Sequence, residues 1–315
     1  PRSIDYLLAK LDDTDVASQQ AAVNAISALG PLAGAATVGT LDGPSRRAAY
    51  LQVQDTLAGL HAVAQVLAAP DGRSRQLLVL DVTGRSTRAA VAVGDVDRAE
   101  HVAVVVPGFT TSVPRDLVGA DRLAADLAAL ARREAMAWGD RGDVAVVSWL
   151  GYDAPQVADT LRTRSVALRG SAQEGADLLS PFLRGLPPAA HLTLVGHSYG
   201  STTAGLAVTR GGTGVDDLVA IGSPGLGVGS TAELGMPAAR VHVLEAAQDP
   251  VADLGWFGRD PGRLAGVDRP STDATVLPDG SAGTRSLGHS SYLTPGTTSQ
   301  WNVAAVVAGL PRQQP

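Results

Sequence analysis

The sequence predicts an α/β fold: a mostly parallel central sheet covered by helices on both faces, with a helical layer at the N-terminus. Three observations carry this expectation. From Val102 onward, short uninterrupted apolar runs alternate with helical patterns, as buried parallel strands and their crossover helices do. Just before them, two β-branched runs flank a turn containing Gly84, the pattern of an antiparallel hairpin. Residues 1 to about 70 instead carry apolar side chains at helical spacing and lack β-rich runs.

Taken in order, Ile4, Leu7, Leu8 and Leu11 form one stripe at i, i+3, i+4 and i+7. A second stretch runs from Val16 to Leu29, where Gly30-Pro31 stops it. A third aligns Val53, Leu57, Leu60, Ala64 and Leu67 and ends at Pro70-Asp71-Gly72. Residues 1–72 are therefore expected to form a helical layer packed on a body of residues 73–315. The body opens with the hairpin Leu77–Leu80 and Ala89–Val93. Strands are then expected at Val102–Val106, Val144–Trp149, Leu192–Val195, Leu218–Ile221 and Val241–Ala246. Helices are expected near Asp121–Ala137, Pro155–Leu183, Ser201–Thr209 and Gln300–Ala308. Two long loops rich in Gly and Pro, Ser223–Arg240 and Asp249–His289, read as functional segments.

Composition narrows the chemistry. Over 315 residues, 45% are hydrophobic and 18% charged, which excludes a disordered chain and supplies a core without disulfide or metal staples. No apolar run approaches the roughly 20 residues of a membrane span, so a soluble protein is expected. The net charge of −6, with arginines scattered and Lys10 the only lysine, argues against nucleic acid as a ligand. With no cysteine, thiol nucleophiles and thiolate metal sites are excluded, while the cellular compartment is left open.

The strongest chemical signal is Gly196-His197-Ser198-Tyr199-Gly200, directly after the apolar run Leu192–Val195 and before a helical pattern. A serine between glycines on a sharp strand-to-helix turn is lifted clear of the sheet as a nucleophile. The Tyr199 N–H then lies at a helix N-terminus, where developing negative charge is stabilised. A serine hydroxyl needs a base, and the base needs an orienting acid. In chain order after Ser198, His289 is the candidate base. His242 sits inside an apolar strand and reads as structural, and His197 reads as packing. His61, His101 and His191 precede the nucleophile and read as surface or strand-edge residues. Asp249 is the candidate acid, at the carboxyl edge of the strand Val241–Ala246, with Asp253 its nearest rival. The turn Pro107-Gly108-Phe109 follows Val102–Val106, so the Phe109 N–H is expected to join that of Tyr199 in holding an oxyanion. The late aspartates lack the spacing of a calcium loop, and Gly225–Gly229 lacks a nucleotide-loop setting; neither metal nor cofactor is expected.

These pieces resemble the actinobacterial α/β-hydrolase-fold proteins long catalogued as a domain of unknown function. The matching segments are Val106-Pro107-Gly108, Trp149–Pro155, Gly196–Gly200, Gly222-Ser223-Pro224-Gly225, Gln248–Val251 and Gly288–Tyr292. The resemblance spans about residues 75–310 and implies an α/β-hydrolase fold with a Ser–His–Asp triad on Ser198, His289 and Asp249.

The expected activity is hydrolysis of a carboxylic ester, the substrate being a small or lipid-like molecule. Acyl transfer through the same residues is the nearest alternative, and a non-catalytic binding module on a vestigial fold is the alternative of a different class. The loop Ser223–Arg240 is too short for a helical cap. Trp256 and Phe257, in the loop between the acid and the base, are therefore the candidates for lining the substrate entrance.

Overall fold

The computed structural model describes residues 43–140, 142–156, 166–252 and 255–310. The first two expected helical stripes, and the rival acid Asp253, lie outside these residues. The third stripe falls within helix α1 (Gly43–Leu67), which leads into the hairpin β1 (Arg75–Asp81) and β2 (Arg88–Val93). There follow β3 (His101–Val106), α2 (Val113–Ala137), β4 (Val144–Leu150), α3 (Val166–Arg184), β5 (His191–His197) and α4 (Tyr199–Thr209). The chain continues through β6 (Asp217–Ile221), β7 (Val241–Leu244), the short pair β8 (Thr275–Val276) and β9 (Ala282–Gly283), and α5 (Thr298–Val307).

Seven strands form one sheet in the order β1-β2-β4-β3-β5-β6-β7. The hairpin joins β4 antiparallel, and β4, β3, β5, β6 and β7 run parallel. Alternation along β3 shows how two faces are filled. Val102, Val104 and Val106 pack into the layer with α3 and α4, whereas Ala103 packs with α2 and α5. Leu60, Val63 and Val66 of α1 are buried with Leu77, Val91 and Leu117, beside the hairpin and α2. Among the described residues no helix is long and apolar enough to cross a membrane.

Three boundaries differ from the sequence expectation, each for a local reason. Helix α2 begins at Val113, well before Asp121, with Pro114 in its first turn, where the missing N–H costs nothing. Gly119 has a low helical preference, and Asp121 is buried because it pairs with Arg75 at 2.9 Å. Strand β7 stops at Leu244 because the Ala246 N–H donates to the Tyr292 hydroxyl rather than to a neighbouring strand. Pro155 and Gln156, expected to open a helix, are irregular, and the Pro155 carbonyl accepts the Thr110 N–H at 2.9 Å. The second long loop is tied to the sheet edge, where Val243 N–H donates to the Asp268 carbonyl at 2.8 Å.

Candidate active site

The turn from β5 into α4 carries Ser198 with φ 54° and ψ −133°, a left-handed backbone that L-residues rarely adopt. The glycines on either side are required by close approach. A Cβ at Gly196 would stand 2.4 Å from Ser201 Cα, and one at Gly200 would stand 2.2 Å from the Val106 carbonyl oxygen. Ser198 is consequently held at the carboxyl edge of the sheet, its N–H donating to the Ile221 carbonyl at 2.9 Å.

The structure brings together the three residues singled out as nucleophile, base and acid. Ser198 Oγ lies 2.7 Å from His289 Nε2, and His289 Nδ1 lies 3.0 Å from both oxygens of Asp249. Because Nδ1 faces a carboxylate, that nitrogen carries the proton in the neutral ring, which leaves Nε2 to accept from the serine. The Asp249 carboxylate is buried, which alone would push its pKa up. Donation from His289, the Tyr292 hydroxyl and the Val251 N–H outweighs that and brings it down to about 2. Asp249 is therefore a fixed anion beneath an imidazole. Gln248, just before it, adopts φ 63°, which turns the chain sharply out of β7.

Four groups around this trio were not assigned a role from sequence. Tyr292 donates to Asp249 Oδ2 at 2.6 Å while accepting from Ala246 N–H, and burial keeps its hydroxyl protonated. Gly222, at φ 56°, leaves room for the pair: a Cβ there would meet Asp249 Oδ2 at 2.7 Å and His289 Nδ1 at 3.1 Å. His197, read as packing, is buried with its ring 4.9 Å from that of His289, and its Nε2 donates to the His289 carbonyl at 2.8 Å. Burial holds His197 down to about 4, so near neutrality it is an uncharged donor. Ser223 braces the elbow helix, its Oγ lying 2.6 Å from the Ser201 hydroxyl. Signals existed for Gly222, Ser223 and Tyr292, since each sits in a motif quoted from the sequence, but only the folded register assigns their partners.

The loop after β3 lies against the elbow. A Cβ on Gly108 would meet Ser198 Cβ at 2.7 Å and Tyr199 N at 3.0 Å, so the backbone leading into Phe109 passes close to Ser198. Thr110 holds φ 65°, and the Thr111 hydroxyl closes the turn by donating to the Gly108 carbonyl at 2.6 Å. The segment Trp149–Pro155 braces this loop. Tyr152 stacks on Trp149 and donates its hydroxyl to the Pro107 carbonyl at 2.9 Å.

The other histidines named from sequence lie elsewhere. His242 is wedged between Asp217 and Asp268, His191 pairs with Asp217, and His101 with Asp140, at the opposite, amino edge of the strands. His61 is exposed. Trp256 is 67% exposed, and Phe257 is buried edge-to-face against Tyr199 with ring centroids 5.3 Å apart. Among the described residues no group of three or more His, Asp or Glu side chains could hold a metal ion.

A family model described as alpha/beta hydrolase matches residues 83–258, more than half of the chain. The chain belongs to the alpha/beta hydrolase family. The match takes in the elbow and Asp249 and ends before His289. An uncharacterized protein of Mycobacterium tuberculosis (strain H37Rv) is 36% identical over 240 residues, covering 71% of this chain and 86% of that protein. A second uncharacterized protein of the same strain is 35% identical over 175 residues, covering 55% of this chain and 26% of its own length. Among solved structures, a dienelactone hydrolase from Anabaena variabilis aligns at 14% identity and TM-score 0.45, over 75% of this chain and 96% of that one. An esterase from Pyrobaculum calidifontis aligns at 16% identity and TM-score 0.41, over 83% and 93%.

Proposed function

We propose that this alpha/beta hydrolase cleaves carboxylic esters through a serine nucleophile and an acyl-enzyme intermediate. One observation carries the reading: Ser198 Oγ is 2.7 Å from His289 Nε2 while His289 Nδ1 sits 3.0 Å from both Asp249 oxygens. That continuous line of donors and acceptors starts at the only residue of the elbow whose hydroxyl faces a base.

Ser198 Oγ attacks the ester carbonyl carbon as its proton passes to His289 Nε2. The carbonyl electron pair moves to oxygen, which the Phe109 and Tyr199 N–H groups are positioned in sequence to hold. Collapse breaks the bond to the alcohol, which leaves with the proton from His289. Water then gives its proton to His289, attacks the acyl carbon, and releases the acid with Ser198 restored. Asp249 does not change protonation; it fixes the tautomer and stabilises the transient imidazolium. We further propose that residues 1–72 form a fixed layer on the catalytic body, with α1 as its packed portion.

The test is covalent labelling by a fluorophosphonate with mass mapping of the adduct. Modification of Ser198 alone, abolished in Ser198→Ala, is expected. An adduct on another serine, or undiminished labelling of the variant, would overturn the mechanism.

A further inference from the structure

Between the first half of α2 and the carboxyl ends of the strands lies a cavity of about 340 Å³. Its inner wall is built from chain neighbours of the proposed machinery. Pro107 precedes Gly108, His197 precedes Ser198, Ile221 precedes Gly222, and Ser290 follows His289. These four neighbours come from four separate segments, and Tyr292, which donates to Asp249 Oδ2, lines the same wall, so the cavity lies beside the proposed triad. Away from the triad the lining turns apolar, with Ala120, Leu123 and Leu293 prominent, and Leu123 is 40% exposed at the edge. Arg115 and Asp116, which pair with each other at 3.2 Å, also line the cavity.

We propose that this cavity receives the apolar hydrocarbon chain of the ester, and that Gly119 and Ala120 of α2 set how long a chain it takes. The proposal rests on the hydrolase reading of Ser198. A volume of this size is at the small end for ligand sites and suits one linear chain. The two small residues on α2 are what leave the space: a Cβ at Gly119 would meet no atom within 4 Å. Neither Trp256 nor Phe257 lines the cavity, so chain-length selection falls to α2 rather than to the loop between acid and base.

The experiment compares kcat/KM across two ester series on the full chain. One lengthens the acyl group from acetate to decanoate on a fixed nitrophenol; the other lengthens a linear alcohol on a fixed acetate. Each methylene taken from water into the cavity should raise kcat/KM roughly fourfold, so one series should climb about 100-fold or more before it levels. The series that climbs identifies which side of the ester occupies the cavity. In Ala120→Phe and Gly119→Leu, each measured against its own acetate ester, the climb should collapse to within a few-fold of unity. Calorimetric binding of 1-decanol is expected for the parent and lost in both variants. If both variants keep their melting temperature, the climb and the decanol binding, the cavity assignment is overturned. Decanol binding that obeys these expectations without any ester cleavage would overturn the hydrolase reading and leave the cavity as an apolar-chain site. If one variant fails to fold, the other decides.

Discussion

The Tyr292 hydroxyl donates to Asp249 Oδ2 at 2.6 Å and accepts the Ala246 N–H at 2.8 Å, tying the proposed acid to the end of its own strand. Tyr292→Phe removes one donor from the carboxylate and leaves a buried N–H without its partner. A stability loss of about 1–3 kcal/mol is expected in denaturant melts. Turnover should fall roughly tenfold, because an Asp249 with one donor fewer fixes the imidazole less firmly. Parent-like melts and turnover would show that the tyrosine is only filler.

Under the proposed mechanism Asp249 links acid stability to activity. Its carboxyl ordinarily titrates near 3.8 and is brought to about 2 in the fold. Its contribution to stability is therefore complete above about 3.8 and is lost as pH falls through about 2, because the unfolded chain binds the proton first. Asp249→Asn should flatten that acid limb in chemical denaturation and cut kcat by about 10⁴ through the wrong histidine tautomer. His289→Ala should cut kcat comparably. An unchanged kcat in Asp249→Asn would move the role to another acid.

His197 acts on stability in a different pH window. Burial lowers it from 6.5 to about 4, so the unfolded chain takes up its proton first as pH falls between these values. Stability tied to His197 is full above about 6.5 and is lost on the way down to about 4. His191 works oppositely: burial would lower it, but the Asp217 carboxylate prevails and raises it, so its contribution is lost as pH rises through that raised value. The informative quantity is thus the difference between His197→Gln and parent. His197→Gln, which keeps an amide donor toward the His289 carbonyl, should show a flatter melting temperature from pH 6.5 to 4. An identical slope in variant and parent would refute a buried neutral His197.

Gly222→Ala tests the space under the proposed triad. The substitution combines an unfavourable φ of 56° with a Cβ 2.7 Å from Asp249 Oδ2. Gly211→Ala is its control, since Gly211 has φ 74° but open space around it. Both should lose about 1 kcal/mol of stability from backbone strain. Only Gly222→Ala should also lose kcat, by 100-fold or more. Equal activity in the two variants would mean that the acid and base tolerate displacement.

How much of this was legible in sequence follows from how local each feature is. The elbow was readable because the glycines that permit it stand within two residues of Ser198. Asp249 and His289 were readable through chain order, although their meeting 40 residues apart depends on the loop returning to the sheet edge. The start of α2 was obscured by Gly119, whose low helical preference reflects a cavity rather than a helix end. Tyr292 and His197 could be seen as residues but not as partners, since their hydrogen bonds cross 43 and 92 positions of the chain. The amino-edge histidines are instructive in reverse. His242 and His191 also bind aspartate, so a His–Asp pair alone marks no reaction; what sets the His289–Asp249 pair apart is the serine on its strained turn.

Thr110, Ser198 and Gln248 are the non-glycine residues with left-handed backbone among those described, and they stand in the loop after β3, at the proposed nucleophile and before the proposed acid. Each such conformation costs about 1–3 kcal/mol, against a net stability of about 5–15 kcal/mol for a typical domain. The two cores that sandwich the sheet must therefore over-supply stability so that one rim can stay tense. Heat-selected libraries of this chain, screened for survival and not for turnover, should accumulate glycine at these three positions. Adaptation to temperature and retention of chemistry would then pull on the same three residues in opposite directions.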